Sequence, residues 1–194
     1  MSTPNRPKHK HDLDFDYPDF LTWAQLPPFS GEWPARGWVF LADVVRNESF
    51  MRPMVRVRDT AGKEVLLAFY LDNGNPEAAR LAQMGPGTMV AIKNCQAKQF
   101  MDGQIGIRLE DQDLANLKHL PCTVAKFKSM NNQVIRDVSE PKCERCGAAD
   151  ARKRCGPCKT RYCSPECQKA DWRPSHKGVC QILATLRDYD EMFA

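Results

Sequence analysis

Eight residues of metal-ligating type fall between positions 143 and 180 of this 194-residue chain: Cys143, Cys146, Cys155, Cys158, Cys163, Cys167, His176 and Cys180. The pattern is C-x2-C-x8-C-x2-C-x4-C-x3-C-x8-H-x3-C, and it holds seven of the chain's nine cysteines. A structural zinc site takes four nitrogen or sulfur ligands in a tetrahedron, and a close cysteine pair supplies two of them from one turn. Eight ligands therefore make two closed sites, with none missing and none spare. A catalytic zinc would keep one position open for water or substrate. The expected cofactor is Zn2+, two per chain, in a structural role.

A disulfide framework is the competing reading of close cysteines. Residues 1–14, MSTPNRPKHKHDLD, are polar and contain no apolar stretch or cleavage site of a secretory signal. A reducing interior favours metal over persistent disulfides, and nine cysteines leave an odd thiol in any pairing scheme. The longest apolar run, Val65 to Leu71, is far too short to span a bilayer. An intracellular chain with no membrane segment is expected, with nucleus and cytoplasm left open because Lys8-His9-Lys10-His11 is too thin for a nuclear signal.

The segment from Cys143 to Cys180 resembles a MYND-type zinc finger. The resemblance rests on the eight ligands, the Tyr162-Cys163 step and the string Cys167-Gln168-Lys169-Ala170-Asp171-Trp172 ahead of His176-Lys177 and Cys180. The gap between Cys167 and His176 is long for that pattern, which places one extra residue around Arg173-Pro174-Ser175. The resemblance implies interleaved sites, with Cys143, Cys146, Cys163 and Cys167 on one zinc and Cys155, Cys158, His176 and Cys180 on the other. Spacing alone is equally consistent with a sequential arrangement in which the first four cysteines share an ion. The resemblance further implies a groove beside the finger's helix that accepts short proline-containing peptides, lined by Gln168 and Trp172. Packing of Trp172 under the second zinc site is the competing role for that indole.

Local chemistry adds detail. Gly156-Pro157 lies between Cys155 and Cys158, where a tight knuckle is needed. Ser164-Pro165-Glu166 reads as a helix start, with Ser164 as N-cap and Pro165 in the first helical position. A module this small buries little, so metal must supply most of its folding free energy, on the order of ten kcal/mol per site. Residues 141–180 carry ten Lys or Arg and four Asp or Glu, a formal +6. Seven thiolates and two zinc ions reduce that to about +3, a weak grip on a polyanion.

Upstream, the expected fold class is α+β and mainly β: a small OB-like five-stranded barrel, then the double-zinc finger and a C-terminal helix. The expected domains are a disordered tail at 1–14, the barrel at 15–120, a linker at 121–140, the finger at 141–180 and the helix at 181–194. Residues 17–33, with three prolines, suggest an extended segment laid on the barrel. Strands are expected at Trp38 to Arg46, at Met54 to Arg58 by strict alternation, and at Glu64 to Leu71. A short helix from Asn75 to Gln83 follows, then a fourth strand at Thr88 to Gln99, an Asp102-Gly103 turn and a fifth strand through Ile105, Ile107 and Leu109. Three strands, a helix and a two-strand hairpin is the element order of an OB-fold. Asp113 to His119 reads as another short helix, and Met130-Asn131-Asn132-Gln133 as part of a polar connector. Ile182, Leu183, Leu186 and Tyr189 share one face of the last helix, which that face packs down.

Such barrels bind RNA or single-stranded DNA through outward aromatics in a basic groove. Arg56, Arg58, Lys93 and Arg108 point outward here, but no outward aromatic pair stands out, because Trp38, Phe40 and Phe69 read as core. The barrel then serves as scaffold or protein-docking surface. Cys95 and Cys122 are isolated and read as buried thiols, and His9, His11 and His119 as solvent-facing. Gly85-Pro86-Gly87 lacks the strand–GxxxxGK–helix context of a phosphate loop. Although some MYND fingers sit inside lysine methyltransferases, the upstream residues hold no cofactor-loop motif. The expectation is a non-enzymatic adaptor with no small-molecule substrate, whose finger binds a proline-containing peptide of a protein partner. The alternative is a nucleic-acid-binding protein that uses the barrel.

Overall fold

Residues 15, 19–28, 37–139 and 141–193 are described in the computed structural model. The tail expected at 1–14, with His9 and His11, lies outside them, as does part of the 17–33 segment. They form two compact units, one over residues 15–124 and one containing residues 125–193. Among them, no helix is long and apolar enough to cross a membrane.

The first unit is built on period-two alternation. Strand β1 (Phe20–Leu21) runs parallel to β2 (Val39–Asn47), with Phe20 opposite Val39. Strands β2, β3 (Met54–Asp59) and β4 (Glu64–Tyr70) form an antiparallel meander. Helix α1 (Glu77–Leu81) crosses to β5 (Met89–Lys93), which returns antiparallel to β2. Strands β6 (Ala97–Gln99) and β7 (Ile105–Glu110) make a hairpin, and β7 lies parallel to β4. A strand shared by its second and fourth neighbours, with the third parallel to the last, is the Greek-key order of an OB-like barrel.

The single strand expected from Thr88 to Gln99 is broken between β5 and β6. Asn94 takes a left-handed φ of 55°, and its side-chain oxygen accepts from the Trp38 backbone N–H at 3.1 Å. The Trp38 indole donates to the Cys95 carbonyl at 2.9 Å. This corner turns the chain off β2 and onto β7, so one stretch of sequence serves two edges of the barrel. The helix expected at Asp113 to His119 is also different. A 3-10 helix spans Asp111–Asn116, and β8 (Leu117–Leu120) pairs antiparallel with β5. A leucine spacing of three fits a helical turn, but the free edge of β5 offers hydrogen bonds that a short helix would forgo.

Inward positions fill the barrel. Phe40, Val55, Val57, Leu67, Phe69 and Ile107 are completely buried, and Leu81 of α1 joins the same cluster. The Asp59 carboxylate accepts backbone N–H groups from Trp23 at 2.7 Å, Ala61 at 3.0 Å and Lys63 at 2.7 Å. That one side chain closes the β3–β4 turn and ties down the 3-10 helix Trp23–Gln25.

In the second unit, residues read as a polar connector form helix α2 (Val124–Ser139). Phe127, Met130 and Val134 are buried at helical spacing, and two adjacent asparagines do not interrupt that stripe. Two short strands, β9 (Lys153–Arg154) and β10 (Arg161–Tyr162), pair antiparallel. Helix α3 (Pro165–Asp171) runs into one π-helical turn, Trp172–His176, and α4 (Cys180–Phe193) ends the described chain. Ile182, Leu183, Leu186 and Tyr189 are buried, as the one-face pattern requires, and the Tyr189 ring meets Phe127 of α2 edge-on at 6.3 Å. Arg187 of α4 donates to the Cys158 carbonyl and, at 2.6 Å, to the buried Asp137 carboxylate of α2. Both helices are thereby fastened to a cysteine turn.

Candidate metal centre

Two cysteine turns are built alike. Gly147 N–H donates to the Cys143 carbonyl at 2.8 Å, and Lys159 N–H to the Cys155 carbonyl at 2.9 Å. The last residue of each turn is left-handed, Gly147 at φ 76° and Lys159 at φ 59°. The tight turn thus depends on the residue after the second cysteine. Gly156, inside the second pair, has open space where a side chain would stand and no left-handed φ, so glycine is not required there.

Helix α3 begins as its sequence predicts. Ser164 is the N-cap, its hydroxyl accepts from Cys167 N–H at 3.3 Å, and Pro165 takes the first turn. This brings Cys163, just before the helix, and Cys167, one turn inside, together on the Cys143–Cys146 turn. The π turn then absorbs the long gap before His176: Lys177 N–H reaches back five residues to the Trp172 carbonyl at 2.8 Å. An extra residue in a helix is accommodated in this way, and here it swings His176 toward the Cys155–Cys158 turn.

The result is two clusters of four. Cys143, Cys146, Cys163 and Cys167 form one, and Cys155, Cys158, His176 and Cys180 the other, with ligand atoms in each all within 4.8 Å of one another. The structure gathers the interleaved sets, not the first four cysteines. Sulfur separations are 3.6 Å for Cys146–Cys163, 3.5 Å for Cys163–Cys167 and 3.7 Å for Cys155–Cys180. The His176 Nε2 atom lies 3.3 Å from both Cys155 and Cys158 Sγ. A zinc–sulfur bond of about 2.3 Å gives a tetrahedral edge of about 3.8 Å, so an ion fits inside each cluster. These separations are far beyond a disulfide bond, and all nine cysteines are free.

Electrostatics at the two clusters favours a cation. Burial raises the Cys143 thiol, but backbone N–H groups of Cys163, Cys146 and Arg145 outweigh it and bring the pKa down to about 6. Cys163 is pushed up to about 12 by the crowding thiols of Cys167, Cys146 and Cys143. Burial, then the neighbouring Cys158, pushes Cys180 up to about 12. Without metal the Cys163 and Cys180 thiols hold their protons, and ion binding displaces them. Burial lowers the pKa of His176 and keeps its imidazole neutral, as a ligand must be. Between the clusters, the Tyr162 hydroxyl and the Ser175 hydroxyl both donate to the buried Asp171 carboxylate, at 2.7 and 2.5 Å.

Residues 143–180 match the family model of the MYND finger. The module is a MYND-type zinc finger. Over 46 residues the chain is 54% identical to Dauer abnormal formation protein 25 of Caenorhabditis elegans, a match that covers 24% of this chain and 12% of that protein. Two solved structures resemble the chain at low scores. The S. pombe Stn1-Ten1 complex gives a TM-score of 0.37 at 13% identity, covering 56% of this chain and 74% of that one. Schizosaccharomyces pombe Pot1pC bound to ssDNA gives 0.34 at 11% identity, covering 58% and 97%. The barrel assignment rests on the strand order described above.

Gln168 is half-buried on α3, and Trp172 keeps 39% of its surface exposed while its ring lies 5.6 Å from that of His176. Cys95 and Cys122 are buried, and burial raises the Cys95 thiol. His119 is half-buried and not solvent-facing, because β8 pairs its backbone with Val90, and burial, then Arg80, lowers its pKa. One expectation fails: an outward aromatic pair does exist. Tyr70 and Phe100 lie parallel, ring centroids 6.3 Å apart and planes 7° apart. The alternation of β4 places Tyr70 outward, but nothing local announces that Phe100 meets it across the β4–β7 pairing.

Proposed function

We propose that the chain is a non-enzymatic adaptor whose MYND-type finger binds a proline-containing peptide of a partner protein. The observation that carries this reading is that all eight ligands are used in two four-ligand clusters. Bound zinc would then hold the fold, with no ligand position left over for substrate, and recognition falls to the surface of α3. Gln168 and Trp172 stand four residues apart and so share a helical face. An exposed indole offers an apolar wall to a proline ring, and the Gln168 amide can bond a peptide backbone.

Trp172 also lies beside His176, so one residue is available to groove and metal site alike. The test is a paired measurement on Trp172→Ala: zinc stoichiometry and retention of an array of proline-containing peptides, on the same sample. The expected result is two zinc ions retained with peptide capture lost, since an aromatic anchor commonly contributes about 2 kcal/mol or more. Loss of zinc would assign Trp172 to packing, and unchanged capture would remove it from the site.

A second reading, RNA or single-stranded DNA on the barrel, has the Tyr70–Phe100 pair in its favour. Against it, residues 15–124 carry 11 Lys or Arg and 13 Asp or Glu, a formal −2. Phosphate binding draws on uncompensated cations.

A further inference from the structure

The outer face of the barrel carries a second cluster of recognition-type side chains, where two loops meet on one tyrosine. Val65, Leu67 and Phe69 take the inward positions of β4, which leaves Tyr70 on the outer face. Arg108 of the neighbouring β7 sets its guanidinium carbon 4.0 Å from the Tyr70 ring centroid. Arg52, from the β2–β3 loop, does the same at 3.9 Å. Phe100 enters the β6–β7 turn lying parallel to Tyr70. It can do so because Gly106 lies beneath it: a Cβ there would collide with the Leu66 carbonyl oxygen and stand 2.7 Å from Phe100 Cε2.

The same two loops and the first residue of β7 hold large apolar side chains in water. Phe50 is 95% exposed, Met51 86%, Met101 fully and Ile105 57%. An open cleft of about 520 Å³ runs past Arg52, Tyr70, Asp72 and Arg108. Exposed apolar clusters of this kind mark binding surfaces. Their composition is also specific: protein interfaces are enriched in aromatics, Met and Arg, and their strongest anchors in Tyr and Arg.

Charge decides which partner fits. The outward arginines Arg46, Arg56, Arg58 and Arg108 each hold a carboxylate already, from Glu48, Glu64 or Glu110. A single-stranded polyanion would need a track of uncompensated cations. Arg52 differs, because among the described residues it forms no ion pair and rests only on the Tyr70 face. The surface therefore presents exposed apolar area and one pre-oriented cation.

We infer that this face of the barrel docks a protein segment bearing a large apolar anchor with a carboxylate beside it. The anchor covers the Phe50, Met51 and Met101 side chains, and the carboxylate meets Arg52. Every residue involved lies in the first unit, so the inference does not depend on peptide binding by the finger.

The test uses the full zinc-loaded chain to select from a displayed library of random peptides, with the enriched sequences titrated as labelled synthetic peptides. The expected consensus pairs a large apolar residue with a nearby Asp or Glu. Phe50→Ser with Met101→Ser, and separately Arg52→Gln, should each weaken binding about tenfold or more. Replacing the peptide's acid by Lys should do the same. Phe50 and Met101 are exposed, so these variants keep the barrel's thermal transition as the folding control. Enriched peptides indifferent to these variants, or no enrichment, would overturn the proposal. So would labelled oligo-dT binding that the variants weaken, or a dimer in sedimentation that Phe50→Ser dissolves.

Discussion

The barrel and the finger solve the same problem, a small fold's shortage of buried surface, by opposite means. The barrel buries aliphatic and aromatic side chains from six strands and a helix in one cluster. Within residues 143–180, Tyr162 is the single large aromatic or aliphatic side chain that is buried, and its hydroxyl is tied to Asp171. Cysteine and histidine occupy the places where a core would stand. An apolar core spreads its stabilisation over many contacts, whereas a metal core concentrates it in a few bonds. The first weakens by degrees under substitution, and the second is present or absent with its ion.

The sharpest way to break that contrast is to remove the metal. A strong chelator should abolish dispersed amide resonances and protease resistance for residues 143–180, with a loss on the order of ten kcal/mol per site. The barrel's resonances should persist. A barrel that melts together with the finger would show that the apolar core does not suffice alone. The converse variant is Phe69→Ala, which empties a fully buried position of the barrel. Its expected cost is about 3–5 kcal/mol in the barrel's denaturant transition. Zinc content should stay at two per chain, and release of zinc by Phe69→Ala would undo the separation.

The same contrast explains what could be read from the sequence. Metal ligands announce themselves because the chemistry resides in the residue types: Cys163, Ser164 and Pro165 fix ligand, cap and helix start within three positions. The interleaving follows from family resemblance, and spacing alone is consistent with either arrangement. In the barrel, alternation located β3 and β7 well, because a one-residue slip would expose Val55 and Val57. Elements whose reasons are distant were missed. The break at Asn94 depends on Trp38, 56 residues away. Strand β8 depends on the open edge of β5. Helix α2 hid because Asn131 and Asn132 disguised a stripe that becomes visible only when Phe127 meets Tyr189. The Tyr70–Phe100 pair depends on the parallel register of β4 with β7 and on the absence of a side chain at Gly106.

The smallest expected effect tests how much of the finger's fold is backbone geometry and how much is metal. Its two cysteine turns are equivalent, yet one ends in Gly147 and the other in Lys159, both left-handed. A side-chain-bearing residue in that conformation costs about 1–2 kcal/mol, which glycine avoids. Lys159→Gly gives up the hydrogen bond from Nζ to the Gly156 carbonyl and adds flexibility to the unfolded chain. The net gain should be under about 1 kcal/mol. It should appear as a zinc affinity raised a few-fold at the Cys155 cluster in chelator competition, with the Cys143 cluster as internal reference. Gly147→Lys should move the Cys143 cluster the other way by a similar amount. If Lys159→Gly instead weakens zinc binding, the lysine's contact outweighs the strain of its backbone, and the two turns are alike in shape but not in what holds them.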